Sequence, residues 1–163
     1  MNKRTSIALK MLCLGAALLF TSANSHADNG FLVFNTVAYH FENSDERNDF
    51  TPGIGWEYSP TSAFGFHVGT LSDSFGFQST YGGINYQTRR LFNNRVRLIL
   101  GASVVHKQFR PNAEPETKLL PFPVVEFTLT RRAVLNVSGS PELDFAGQKN
   151  NPVIFFQFTI GLT

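Results

Sequence analysis

From Phe31 to the C-terminus, apolar and polar side chains alternate with a period of two, and no segment carries the 3.6-residue period of an amphipathic helix. The alternation predicts eight strands, over residues 31–41, 52–59, 63–72, 77–88, 95–107, 119–129, 133–141 and 152–163. Three connections are short: Ser59 to Ser62, Arg89 to Asn94, and Thr130 to Arg132. Four are longer or more polar: Glu42 to Thr51, Asp73 to Gly76, Gln108 to Lys118, and Glu142 to Asn151. Long and short connections take turns along the chain. This is the pattern of an even-stranded up-and-down barrel with tight turns at one end and loops at the other.

The same alternation assigns faces. In the fourth strand Thr80, Gly82, Ile84 and Tyr86 oppose Ser79, Tyr81, Gly83, Asn85 and Gln87. In the fifth, Val96, Leu98, Leu100, Ala102 and Val104 oppose Arg95, Arg97, Ile99, Gly101 and Ser103. In the last, Phe156, Phe158, Ile160 and Leu162 oppose Gln157, Thr159 and Gly161. A membrane barrel turns the continuously apolar face to lipid, where a charge at mid-bilayer costs several kcal/mol, and keeps the mixed face for its lumen. A soluble β-sandwich or lipocalin-like barrel alternates too, with the apolar face inward.

The N-terminal 27 residues favour the membrane. Lys3 and Arg4 form a basic start, Met11 to Phe20 is an apolar run, and Ser25-His26-Ala27 offers small residues at a cleavage site. Together they read as a signal for Sec export. No other stretch approaches the ~20 apolar residues of a membrane helix. A place in the bilayer then requires a closed barrel, since only helices and barrels satisfy every backbone polar group in lipid. The expected fold is all-β, an eight-stranded antiparallel transmembrane β-barrel of the outer-membrane type. Residues 28–163 form its single domain, a monomer in the outer membrane of a Gram-negative cell.

Removing residues 1–27 from the 163 leaves 136, with 21 aromatic side chains, 16 of them Phe. Lys3, Arg4 and Lys10 leave with the signal, so Lys+Arg falls from 14 to 11 while Asp+Glu stays at 12, and the formal charge goes from +2 to −1. A nucleic-acid partner, which calls for a concentrated basic face, is not expected. Cys13, the single cysteine, lies in the signal. The mature chain therefore has no disulfide, thiolate nucleophile or Cys-based metal site. Its three scattered histidines, His40, His67 and His106, suggest no metal either. No cofactor is required.

Sorted by height, the lumen-facing residues divide. The end nearer the periplasm collects Glu57, Asn85, Gln87, Arg95, Arg97, Glu126, Asn136 and Gln157. The outer end collects Ala38, Gly69, Leu71, Phe77, Tyr81, Val105, Phe122, Val124, Val153 and Phe155. Eight strands enclose a bore that side chains fill or that holds one small ligand. The polar set can close a floor through ion pairs and hydrogen bonds. The apolar set either lines a pocket suited to one acyl chain or packs the bore with Phe77, Phe122 and Phe155. Pro123 and Pro141 fall on neighbouring strands at similar height, and their missing N–H groups could open a lateral gap for a lipid tail. Pro52 and Pro152 read more simply as strand termini.

At the outer rim, His40 ends the first strand and faces the lumen by parity, and Asp73 and Ser74 open the loop after the third. An imidazole can deprotonate a hydroxyl and a carboxylate can orient the imidazole, so these three suit acyl transfer. Asp-Ser is equally ordinary turn chemistry. His67 belongs to a hydrogen-bonded interior, and His106 faces outward towards lipid headgroups. The acidic first loop (Glu42, Asp45, Glu46, Asp49) reads as solvated, or as a bridge to divalent ions on lipopolysaccharide.

Three blocks resemble the lipid A palmitoyltransferase (PagP) family. They are Asp45 to Tyr58 (DERNDFTPGIGWEY); Asp73-Ser74 followed by Phe75, Phe77 and Gly82-Gly83; and Leu119 to Val125 (LLPFPVV) with Ser140-Pro141. The resemblance implies an eight-stranded outer-membrane barrel that moves an acyl chain from a phospholipid to lipid A. It implies catalysis by a histidine and the Asp73-Ser74 pair, an acyl pocket of Leu71, Phe77, Tyr81, Asn85, Val105, Phe122, Val124 and Phe155, and a lateral gate at Pro123 and Pro141. Phe34 stands where the family has its histidine, and His40, six residues on and of the same parity, takes the role. Asn85 replaces a family glycine at the pocket floor, which implies a shorter or more polar pocket. The expected partners are outer-membrane phospholipid and lipopolysaccharide. The alternative expectation is a non-enzymatic barrel that binds a lipid or another surface component.

Overall fold

The computed structural model describes residues 30–41, 47–60, 63–108, 114–140, 142–145, 148–150 and 152–162. The signal segment, Pro141, and Glu42, Asp45 and Glu46 of the first loop lie outside the described residues. Eight long strands close a barrel: β1 (Gly30–His40), β2 (Phe50–Tyr58), β3 (Phe64–Ser72), β4 (Gln78–Gln87), β5 (Val96–Lys107), β6 (Glu116–Thr128), β7 (Ala133–Ser140) and, after a short hairpin, β10 (Val153–Gly161). Each pairs antiparallel with its sequence neighbour, and β1 closes on β10. The hairpin strands are β8 (Leu143–Phe145) and β9 (Gln148–Asn150). They continue the β7–β10 hairpin in register, since Leu143 pairs with Asn150 where Ser140 pairs with Val153. The sequence showed only a loop there, because three-residue strands are too short to display alternation and the break falls beside Pro152, which has no N–H for the ladder.

The barrel is apolar outside and polar within. Leu100, Leu119, Ile84, Phe66, Val68 and Ile54 are all exposed on the outer face, Leu100 by 61%. Among the described residues sixteen polar side chains are buried against six apolar ones. A soluble barrel would reverse this; a contiguous apolar belt of that extent needs lipid. Aromatic residues flank the belt. Trp56 stacks on Tyr58 at 5.6 Å and Phe64 meets Tyr86 at 5.4 Å near the short turns, while Tyr39 meets Phe41 at 5.3 Å near the loops. The fold is thus of the outer-membrane barrel type. No described helix is long and apolar enough to cross a membrane.

One irregularity decides which way the upper part of β1 faces. The ladders to β10 and β2 both shift between Asn35 and Val37: against β10 Thr36 is the extra residue of a bulge, and against β2 the extra residue lies on β2, between Phe50 and Gly53. Its Oγ1 donates to the Phe156 carbonyl at 2.9 Å. Before the bulge the odd residues Val33 and Asn35 face the lumen; after it, the even residues Ala38 and His40 do. Simple parity with Phe34 is therefore the wrong reason for the position of His40. Phe34 pairs with Phe158 and Ile54 on the outer face. His40 is buried because the bulge reverses the alternation.

The short-turn end of the lumen is closed by a polar network. Glu57 Oε1 accepts from Gln87 Nε2 at 3.0 Å and Asn85 Nδ2 at 3.3 Å. Arg97 bridges Gln87 Oε1 and the Glu126 carboxylate, and Arg90 reaches the other Glu126 oxygen at 2.8 Å. The Glu126 side chain is 4% exposed, so its charge must be balanced from within.

Two outcomes follow. Leu100→Arg should lower folding stability in phospholipid vesicles by about 2–4 kcal/mol, read from urea unfolding followed by Trp56 fluorescence; an unchanged midpoint would put this face in water. Glu126→Ala, which strips the buried partner from Arg97, should cost about 3–5 kcal/mol in the same titration.

Candidate functional site

Above the polar network the lumen opens into a cavity of about 190 Å³ at the loop end. Its apolar walls come from Leu71, Val105, Leu120, Phe122, Val153 and Phe155. Its floor is polar: Asn35 Nδ2 donates to Tyr81 Oη at 3.1 Å, and Gln157 Nε2 donates to Asn35 Oδ1. The Tyr81 ring crosses the bore because Gly55 and Gly69 lie opposite it. A Cβ at Gly55 would sit 2.7 Å from Tyr81 Oη, and one at Gly69 would overlap the ring. His67, which borders the lower space, and Ser103, in the chamber lining, share a hydrogen bond between Nε2 and Oγ at 2.7 Å, with the Phe122 ring 5.7 Å from the imidazole.

The rim brings two of the three expected catalytic residues together. His40 Nε2 and Ser74 Oγ lie 2.6 Å apart, within the range for proton transfer. Four features place them. The Thr36 bulge turns His40 inward. Asp73 N–H donates to the Phe77 carbonyl at 2.8 Å, closing the β3–β4 loop. Gly76, at φ +85, supplies the left-handed turn residue within it. Asn48 N–H donates to the Ser74 carbonyl at 2.9 Å and so ties the first loop to the second.

Asp73 does not reach the imidazole. Its Oδ1 accepts from the Phe75 and Phe77 amides, both at 2.9 Å, and its Oδ2 meets Lys107 Nζ at 3.0 Å. His40 Nδ1 is buried without a hydrogen-bond partner among the described residues. The carboxylate thus shapes the loop that carries Ser74 and binds a cation at the rim. The chemistry available is a serine hydroxyl beside a buried imidazole, facing an apolar chamber.

Of the expected pocket residues, Leu71, Tyr81, Val105, Phe122 and Phe155 line the cavity. Asn85 and Val124 do not. They surround a smaller space lower down with Glu57 and His67, and Tyr81 with Asn35 and Gln157 supplies the floor instead. Phe77 also misses the cavity. It precedes β4, and its backbone serves Asp73, while Phe75 takes a place in the lining. The sequence reading missed Asn35, Arg47, Thr51, Ser79, Ser103 and Lys107, all of which line the chamber. For Ser103 and Lys107 a signal existed: both share the parity of Val105 on β5.

Expected gate residue Pro141 lies outside the described residues. Pro123 faces outward and is exposed, and it marks the end of a ladder. β5 and β6 pair up to Lys107↔Glu116, whereas β6 and β7 pair only from Thr128↔Val134 to Val124↔Ser138. Pro123 is the first residue of β6 past that limit. Leu120, Pro121 and Phe122 on one side, with Gly139 and Ser140 on the other, line the cavity. The chamber therefore reaches the wall between β6 and β7 where the ladder stops. Among the described residues no cluster of three metal-ligating side chains occurs.

No protein-family model matches this chain, and no curated protein does. Among solved structures, it is similar to the N-terminal β-barrel domain of Pseudomonas aeruginosa OprF, with a TM-score of 0.52 over 83% of this chain and 100% of that domain. Sequence identity is 8%, so the likeness is one of fold: this chain is built as an outer-membrane-type barrel.

Proposed function

We propose that the protein is an outer-membrane acyltransferase, exported through Sec and acting as a monomer, which moves an acyl chain from a phospholipid to lipid A or a related acceptor of lipopolysaccharide. The observation that carries this reading is the His40–Ser74 pair, 2.6 Å apart at the mouth of an apolar chamber. The resemblance of the Asp73-Ser74 and Leu119 to Val125 blocks to lipid A palmitoyltransferases points the same way. The interrupted β6–β7 ladder supports a sideways route for a lipid tail.

In this mechanism the Ser74 hydroxyl donates to His40 Nε2, with the imidazole neutral and its proton on Nδ1. Ser74 Oγ attacks the ester carbonyl as His40 takes its proton, and the acyl carbon–oxygen bond to glycerol breaks. The departing alkoxide receives the proton from His40. The acceptor hydroxyl then loses its proton to His40, attacks the acyl-serine and restores Ser74. An apolar cavity of about 150 Å³ takes a benzene-sized guest, so a chamber of about 190 Å³ holds only a short run of chain at once.

A second reading, a barrel that binds lipid without chemistry, draws on the Asp73 carboxylate. It engages two amides and Lys107 and leaves His40 Nδ1 without an orienting group.

Mass spectrometry of lipid A from cells with and without the protein separates the two. The enzyme should add the mass of one acyl chain. His40→Ala and Ser74→Ala should each cut that product by about 10²–10⁴-fold, the usual worth of a positioned base, while still inserting in the membrane. An unchanged spectrum from correctly inserted wild-type protein would leave the binding barrel.

A further inference from the structure

We propose that Arg47 forms a phosphate subsite beside Ser74, so that the lipid whose chain enters the chamber is a phospholipid held by its phosphate. The inference rests on the acyl-transfer reading for the identity of the chain, and on separate geometry for the headgroup.

Arg47 and Lys107 both line the chamber at its mouth. Their electrostatic situations differ. Lys107 Nζ faces the Asp73 carboxylate at 3.0 Å, so its charge is already matched. The Arg47 guanidinium lies over the Phe75 ring at 5.1 Å and has no carboxylate or hydrogen-bond acceptor among the described residues. Asp49, two residues on, is not part of the lining, and its Oδ1 is itself buried without a hydrogen-bond partner among the described residues. A guanidinium laid against a ring is oriented through its face, and the N–H groups along its edge meet no acceptor among the described residues. That fork matches the oxygens of a phosphate.

Position makes the match specific. The bond from Asn48 N–H to the Ser74 carbonyl fixes the residue after Arg47 to the nucleophile's own backbone. Phe75, the residue after Ser74, carries the guanidinium. Arg47 is therefore locked to the Ser74 loop at two points. In a glycerophospholipid the phosphate and the acyl esters share one three-carbon glycerol. An ester presented to Ser74 thus puts its phosphate within reach of a cation on the same rim. Diacylglycerol offers the same ester and chains without the anion.

The test is retention of lipid by the purified full-length mature barrel in a non-ionic detergent, read by native mass spectrometry and carried in the Ser74→Ala background to prevent turnover. Phosphatidylglycerol and a diacylglycerol of identical chains compete at equal concentration, with inorganic phosphate as a separate arm. The phospholipid should be retained about tenfold or more over diacylglycerol, the worth of one charge-assisted hydrogen bond or better. Arg47→Gln should erase most of that preference, and Arg47→Lys, which keeps charge but loses the fork, should restore part of it. Heat-modifiable gel migration confirms that each variant is folded. Equal preference in Arg47→Gln and the parent overturns the subsite. So does displacement of the phospholipid by inorganic phosphate at matching concentration, which would make the site one for the free ion. If the subsite fails while lipid A still gains an acyl chain, the enzyme reading stands without it. Arg47-dependent retention with no acyl transfer in cells keeps the subsite and removes the enzyme.

Discussion

Backbone hydrogen bonding in a solvent without water governs this molecule. In lipid an unpaired N–H or C=O costs several kcal/mol, so a sheet that crosses the bilayer must leave no edge. Closure of β1 on β10 meets that demand. It also forces every second side chain outward and the rest into a bore too narrow for bulk water. The apolar belt and the buried ion pairs of Arg97, Arg90 and Glu126 are two consequences of one requirement. What faces lipid must be greasy, and what faces inward must satisfy itself.

The site sits where that requirement is locally relaxed. The Thr36 bulge costs β1 one regular pairing, and its hydroxyl recovers a bond to the Phe156 carbonyl. In return the strand presents Asn35 to the floor of the chamber and His40 to its rim, an arrangement that strict alternation forbids. Between β6 and β7 the ladder ends at Val124↔Ser138. Pro121 and Pro123 occupy the strand beyond that point and have no N–H groups to leave unpaired. The barrel thus gives up closure at the height of the apolar chamber, on the side that faces lipid tails.

Asp73 shows how one side chain can serve structure where chemistry was expected of it. Its two oxygens bind the Phe75 and Phe77 amides and Lys107. They hold the short loop in the form that brings Ser74 to His40. The geometry of this rim depends on a loop held by a buried carboxylate, and on a first loop fastened to it through Asn48. The His40–Ser74 pair and the place of Arg47 share these few bonds.

The eight long strands, the facing of their regular stretches, the polar network at the short-turn end and the loop-rich rim were legible in the sequence, because a period of two is a local signal and burial on one face repeats it many times. Strand starts at β2 and β6 were read late: Phe50 and Thr51, ahead of Pro52, and the polar stretch from Glu116 looked like loop, although the strands begin at Phe50 and Glu116. The bulge was invisible. A single extra residue leaves no mark on composition, yet it reverses the facing of everything after it, and it is the true reason His40 lies inside. The partners of Asp73, the floor made by Tyr81, Asn35 and Gln157, and the place of Arg47 against Phe75 were equally hidden. Each joins residues from strands or loops far apart in the chain, and only closure of the barrel sets their distances. Alternation along one strand fixes which way a side chain points; which other side chain it meets is decided by the register and curvature of the whole barrel.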